Sequence, residues 1–255
     1  LLSLFMAEFQ KRERTNENTI LYSKDTLKRI VSDIKQIKKN PLDSQGIYYE
    51  HDDENILVGY ALIIGPEDTP YEYGHYFFKL DYPNNYPHSP PRVTFHNWGD
   101  NIRFNPNLYR TGKVCLSVLN TWRGEGWTSC QTLSTILLTL CTILNEYPLI
   151  KEPGFTMKQE DAVNKYNKII TYKNIELSFF KCYSMFLEWV PTEFHTFHEF
   201  VKENFEKNKT KLYEKVIKYE KTYKKSEDKL ITSQYNMRVD INYLKLKKDI
   251  KEHFK

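Results

Sequence analysis

The spacing of apolar residues changes period along the chain, and that change limits the folds open to it. Over residues 23–39, Leu27, Ile30, Val31, Ile34 and Ile37 recur every three or four positions, the pattern of an amphipathic helix, and Asn40-Pro41 stops it. Lys28, Arg29, Lys35 and Lys38 make the other face of that helix basic. From about Ile47 the period changes. Residues 56–64 and 74–80 are short β-branched and aromatic runs parted by the turn-rich segment 65–70, and a third run, Arg92-Val93-Thr94-Phe95, follows Pro90-Pro91. That is the pattern of a strand meander. Residues 99–130 hold few clean periods and many Gly, Asn and Pro, as a long structured loop does. Regularity returns in a second, more buried helix marked by Leu133, Ile136, Leu137, Leu140, Cys141 and Leu144, ending near Tyr147-Pro148.

Past Glu152-Pro153-Gly154 the composition shifts to Lys, Glu, Tyr and Phe at helical spacing, as in Phe194, Phe197, Val201 and Phe205. This divides the chain into an N-terminal segment (1–20), a mixed unit (21–155) and a helical C-terminal extension (156–255). The extension supplies the basicity: the chain carries +4 overall, while residues 151–255 carry 22 Lys and Arg against 16 Asp and Glu. Lys alternates with Glu there, which points to solvated helix faces and argues against a nucleic-acid surface. Its Tyr and Phe at helical spacing read as packing residues. With 27% charged residues and a mean hydropathy of −0.64, the composition excludes a multispanning membrane protein. Residues 1–7 are apolar but far too short for a span, and no export signal is read in them.

Four cysteines, Cys115, Cys130, Cys141 and Cys182, form no CxxC pair, which argues against a zinc ribbon or a disulfide scaffold and suits a reducing compartment. Cys141 and Cys182 lie in apolar surroundings and read as core; Cys130 is left open. His195 and His198 have the wrong spacing for an HExxH metal site, and no metal is expected. Only Cys115 has a setting suited to chemistry, in an irregular loop after Gly112, with Asn107 eight residues upstream behind Pro106. An amide that donates hydrogen bonds without titrating, brought near a thioester on the sulfur, is what an acyl carrier needs. By spacing alone, a buried cysteine acting as a small hydrophobe remains the simpler reading.

Residues 26–155 resemble the ubiquitin-conjugating enzymes (E2, the UBC fold). The resemblance is carried by Gly65-Pro66-Glu67-Asp68-Thr69-Pro70-Tyr71, by Tyr82-Pro83 through Tyr86-Pro87 to Pro90-Pro91-Arg92-Val93, by Asn105-Pro106-Asn107, by Gly112-Lys113-Val114-Cys115-Leu116, and by Trp127 ahead of the second helix. Arg103-Phe104-Asn105-Pro106-Asn107 and Glu152-Pro153-Gly154-Phe155 are similar to a subgroup of large, extended E2s in which Asn-Pro-Asn replaces His-Pro-Asn.

The resemblance implies an α+β UBC fold: an N-terminal helix, a four-stranded antiparallel meander, an active-site loop and C-terminal helices, here with an additional helical extension. It implies that Cys115 accepts ubiquitin, or a ubiquitin-like modifier, from the E1 activating enzyme and passes it to a lysine or to an E3 ligase. Asn107 would fix the loop and stabilise the oxyanion, and the gate beside the thioester maps to Ser117 and Glu146. Ser117 is no acid, so the weight shifts to Glu146. The interval from Cys115 to Trp127 is also about four residues longer than in a minimal E2, adding Arg123-Gly124-Glu125-Gly126. Glu125 either supplies the missing charge or is a solvated loop tip. Lys28 and Arg29 map to the E1-docking face, and His88, Ser89, Ser129 and Cys130 to the E3-facing loops, altered from the usual RING contact. No cofactor is implied, since ATP is used by the E1. The expected compartment is the cytoplasm, with the nucleus also open, or the host cytoplasm should the Lys, Asn, Tyr and Ile bias reflect a viral genome. The competing reading is a catalytically silent UBC-like scaffold that binds ubiquitin; the intact Cys115 and Asn107 argue against it.

Overall fold

Ser23 starts the first helix, α1 (Lys24–Lys39): its side chain accepts the Thr26 N–H at 3.0 Å, capping the turn, with Asp25 at the positive end of the helix dipole and Lys38 and Lys39 at the negative end. The computed structural model describes residues 23–96, 98–99, 101–223, 228–232 and 234–253, so the N-terminal segment 1–20 lies outside the described residues. Leu27, Ile30, Ile34 and Ile37 are buried as their spacing predicts, whereas Val31 is only half-buried. Two polar residues, Thr26 and Asp33, join the buried stripe. Thr26 donates to the Asn84 carbonyl at 2.8 Å, and Asp33 accepts from the Tyr86 hydroxyl and from Arg29 Nε. A period analysis passes over such residues because Asn84 and Tyr86, which partner them from the strand region, lie more than 50 positions away.

Four antiparallel strands follow in chain order, β1 (Ile47–His51), β2 (Val58–Ile64), β3 (His75–Asp81) and β4 (Arg92–Phe95). The register aligns Tyr48 with Leu62 and Phe77, putting all three on one face, while Tyr49, Ala61, Phe78 and Phe95 share the other. The second helix, α2 (Leu133–Thr142), begins with a reciprocal Thr132/Thr135 capping box and buries Ile136, Leu137 and Leu140 completely, packing on α1 and on β1 and β2.

The extension then folds back over the sheet. α3 (Glu160–Lys173) runs on through a π-helical stretch (Asn174–Lys181), and a long α4 (His198–Thr222) follows. Phe200 stacks on Tyr48, Phe194 meets Tyr60 edge-on, and Phe186, Phe194 and Phe197 surround Phe77. In the π-helical stretch Asn174 accepts from the Tyr76 hydroxyl at 2.6 Å and donates to the Glu72 carbonyl at 2.9 Å. Gly74 permits that approach, since a Cβ there would come within 1.8 Å of Asn174 Oδ1. A hairpin, β5 (Asp228–Thr232) with β6 (Met237–Ile241), packs on α3, and α5 (Tyr243–Glu252) packs on α4. This hairpin was not foreseen from helical spacing. One apolar core runs from Leu27 to Ile250, so the described part of the extension is fused to the sheet rather than tethered beside it.

Two predictions arise here. Phe197 is fully buried among Phe77 and Phe200. Phe197→Ala is expected to cost about 3–5 kcal/mol of unfolding free energy, with fluorescence and circular-dichroism denaturation curves shifting together. Curves that separate would show the extension unfolding by itself. The second concerns His75, wholly buried, whose Nδ1 donates to the Ser178 carbonyl at 2.7 Å while Nε2 accepts from Asn204 at 3.0 Å. Burial pushes its pKa down to about 4. Between that value and about 6.5 the unfolded chain binds a proton that the folded chain refuses, so stability falls as pH drops through this window, by about 3 kcal/mol in all. Urea midpoints at pH 7 and pH 4.5 test this: the drop should be smaller in His75→Gln, and equal drops would refute it.

Candidate active site

The loop that carries Cys115 is a narrow double-back. Residues 107–109 and 113–115 run alongside each other, joined by an isolated bridge of Leu108 with Val114; Asn105 bridges to Leu108 within the first segment, and Lys113 bridges to Thr94 of β4. Gly112 makes the turn with φ +85°, and its carbonyl accepts from Phe95 N at 2.8 Å, while a Cβ there would come 2.9 Å from the Phe95 carbonyl.

Cys115 and Asn107 are then tied reciprocally. The Cys115 N–H donates to the Asn107 carbonyl at 2.9 Å, and the Asn107 side-chain amide donates to the Cys115 carbonyl at 2.6 Å. Cys115 is only 2% exposed and Asn107 half-buried. Behind them Asn105 uses both ends of its amide: Oδ1 accepts from Asn107 N at 2.9 Å, and Nδ2 donates to the Tyr71 hydroxyl at 2.8 Å and to the Ile143 carbonyl at 2.7 Å. Tyr71 in turn donates to the Phe104 carbonyl at 2.7 Å. The loop is thereby pinned to the residue that follows α2. Asn105 and Tyr71 stand in the sequence motifs, but nothing in those motifs marks the contact between them.

After Cys115 the chain turns through a short 3-10 helix (Ser117–Leu119), and Thr121 Oγ1 accepts from Leu116 N and donates to the Val114 carbonyl, both at 2.9 Å. The four extra residues fold back over this turn. Gly124, at φ +131°, lies so close that a Cβ would be 3.1 Å from Ser117 Cβ, and Gly126 abuts Asn120, whose Oδ1 accepts from Trp127 N at 2.8 Å. Ser117 is thus half-buried under the segment that carries Glu125, which is exposed, as is Trp122 at 39%. Glu146 is also exposed: its carboxylate beside the Tyr147 hydroxyl raises that group's pKa, and its carbonyl accepts from Asn167 of α3 at 2.8 Å.

The candidate partner surfaces lie near the start of α1. Trp127 Nε1 donates to the Pro87 carbonyl at 2.7 Å and its ring meets Tyr86, which joins the loop bearing His88 and Ser89 to the one bearing Ser129 and Cys130. His88, Ser129 and Cys130 are exposed; Ser89 is half-buried and accepts from Asn85 at 2.9 Å. Lys28 is exposed beside Asp25. Arg29, grouped with Lys28 on a solvent face from the sequence, points inward instead: it pairs with Asp33, lies over the Tyr86 ring and donates to the Ser129 and Gln131 carbonyls. An arginine four residues before a buried Asp completes that charge pair.

Of the remaining cysteines, Cys182 is buried and Cys141 partly so, and burial raises both thiols' pKa values. His195 and His198 both pack on the Phe186 ring. Among the described residues there is no group of three or more His, Cys, Asp or Glu that could hold a metal, and no helix long and apolar enough to cross a membrane.

A family model described as ubiquitin-conjugating enzyme matches residues 29–173, more than half of the chain, and the chain belongs to that family, with its UBC fold and an added C-terminal helical region. It is 41% identical over 152 residues to ubiquitin-conjugating enzyme E2 Z of Xenopus tropicalis, covering 59% of this chain and 48% of that protein. Against the human E2 Z the identity is 41% over 154 residues, covering 60% and 43%. The solved structure of human ubiquitin-conjugating enzyme E2 G1 aligns with 48% of this chain and 94% of its own at 30% identity and a TM-score of 0.41. The match spans just under half the length of these two curated relatives.

Proposed function

We propose that this chain is an active E2: it accepts ubiquitin or a ubiquitin-like modifier from an E1 as a thioester on Cys115 and transfers it to a lysine or to an E3 ligase. The observation that carries the reading is the reciprocal pair of hydrogen bonds between Asn107 and Cys115, set within a chain of the ubiquitin-conjugating family. In the first step the Cys115 sulfur attacks the E1 thioester carbonyl, forming a new S–C bond as the E1 thiolate leaves. In the second, a lysine amine attacks, and the tetrahedral oxyanion collapses to an isopeptide bond with Cys115 as leaving group. Asn107 Nδ2, already beside the Cys115 backbone, donates to that oxyanion.

An ordinary lysine has a pKa near 10.4, so the attacking amine needs a base. Glu146 takes that role in this reading, with Glu125 the second carboxylate, carried on the segment that covers Ser117. Ser117 shapes the gate without titrating. No cofactor is used by this chain, ATP being consumed by the E1. Exposed Lys28 belongs to the E1-docking face, with Arg29 stapling α1 to the 129–131 loop behind it. His88, Ser89, Ser129 and Cys130 form one continuous surface for an E3. The cytoplasm is the compartment proposed.

The test is a charging reaction with E1, ATP and labelled ubiquitin, resolved without reductant. A thiol-sensitive band one ubiquitin heavier than the free protein is the expected result. No band from a folded sample, across several E1s and modifiers, would favour the silent scaffold.

A further inference from the structure

The hairpin of the extension reaches the segment that presents Asn107. The Arg103 guanidinium lies between two rings, 3.7 Å from the centroid of Tyr109 and 4.3 Å from that of Tyr235 at the hairpin tip. It also donates to the Pro106 carbonyl, next to Asn107. The hairpin adds two further contacts: Met237 Sδ accepts from Arg103 N at 3.3 Å, and the Tyr235 carbonyl accepts from Arg110. From α3, the Tyr166 hydroxyl donates to the Arg103 carbonyl at 2.8 Å. Arg103 is therefore gripped from three directions, two residues before Asn105.

Tyr235 holds this position in a backbone conformation that its side chain disfavours. It lies at φ 57°, ψ 11°, followed by Asn236 at φ 49°. Left-handed geometry suits Asn or Gly and strains a bulky residue. Strain kept where a ring meets a loop next to a reacting group is a reason to look for function there.

We infer that the β5–β6 hairpin is a positioning element of the transfer site, in which Tyr235 acts through Arg103 to hold Asn105-Pro106-Asn107 in place. This deepens the E2 reading and rests on it. The hairpin does not touch the reacting atoms; it limits the freedom of the loop segment from which the oxyanion donor projects. Displacements near 1 Å at such a donor cost up to about 100-fold in rate.

The experiment uses the full chain in three forms: parent, Tyr235→Phe and Tyr235→Gly. Glycine accepts the left-handed turn and removes only the ring; phenylalanine keeps the ring. Each is charged to completion by E1, freed of E1 and ATP, and mixed with increasing free lysine to follow loss of the thioester. All three are expected to charge fully. Tyr235→Gly should then discharge about 10-fold or more slowly at saturating lysine, with the half-saturating lysine concentration unchanged, and Tyr235→Phe should match the parent. Arg103→Lys, which keeps the charge and loses the planar stack, serves as a second variant with the same expected loss. A parental discharge rate in both Tyr235→Gly and Arg103→Lys overturns the proposal. So does a loss in Tyr235→Phe equal to that in Tyr235→Gly. A parent that charges while these results fail removes only the hairpin's role; a parent that never charges removes the E2 reading itself.

Discussion

Cys115→Ala is expected to form no adduct at all when mixed with E1, ATP and ubiquitin, whereas Cys115→Ser should form one that survives thiol reductants and is cleaved by base. The contrast follows from the chemistry of the atom. A serine hydroxyl ionises far less readily than a thiol and makes an oxygen ester, which amines attack slowly. The serine adduct should therefore build up and stay. Neither change disturbs the fold much, because the backbone N–H and carbonyl of residue 115 make its hydrogen bonds to Asn107, and neither involves sulfur. A thiol-sensitive adduct persisting in Cys115→Ala would move the carrier to another cysteine, and exposed Cys130 would be the first examined.

The second large effect is expected at Asn107. Asn107→Ala removes the amide donor and should slow transfer to lysine by about 10²–10³-fold, the usual cost of losing one oxyanion donor. Charging should still reach completion, because exchanging one thioester for another uses a good nucleophile and a good leaving group, and so depends less on oxyanion stabilisation than amine attack does. The substitution also leaves the Cys115 carbonyl without its side-chain partner, at a stability cost of about 1 kcal/mol. Measuring thioester end point, lysine discharge and melting temperature on one preparation separates these effects. Discharge at the parental rate with a normal end point would show that Asn107 only shapes the loop.

The elements read best from sequence were those that carry their own boundaries. α1 has its cap in Ser23 and its stop in Asn40-Pro41; α2 has a Thr132/Thr135 box ahead of a dense apolar face, but with no stop signal of its own it ends at Thr142, short of Leu144 and of the expected end near Tyr147-Pro148. The middle strands were legible because their side chains are nearly all buried and their runs short. The site came from a different source. A cysteine after Gly-Lys-Val reads more simply as core, and it was the ordered set of motifs from Gly65 to Trp127 that singled out Cys115 and Asn107. The tip of the extension was also missed: Met237, Val239 and Ile241 alternate with Arg238 and Asp240 as a strand does, but the segment was assigned to helices with the rest of the extension, and the importance of Tyr235 and Met237 rests on meeting Arg103 from more than 130 residues away.

By itself the sequence determined what depends on neighbours along the chain: helix period and caps, strand runs, the turn at Gly112, and the motif order that marks the family. These are local because hydrogen bonds at i+3 and i+4 and alternation of side chains act over a few residues. The tertiary structure alone decided how the ends meet. It placed Phe186, Phe194, Phe197 and Phe200 against the sheet, turned Arg29 inward, buried His75 between Ser178 and Asn204, and set a C-terminal hairpin against the segment that leads to Asn105-Pro106-Asn107. Each of these joins groups far apart in the chain, and burial and pairing of that kind exist only once the chain has closed on itself.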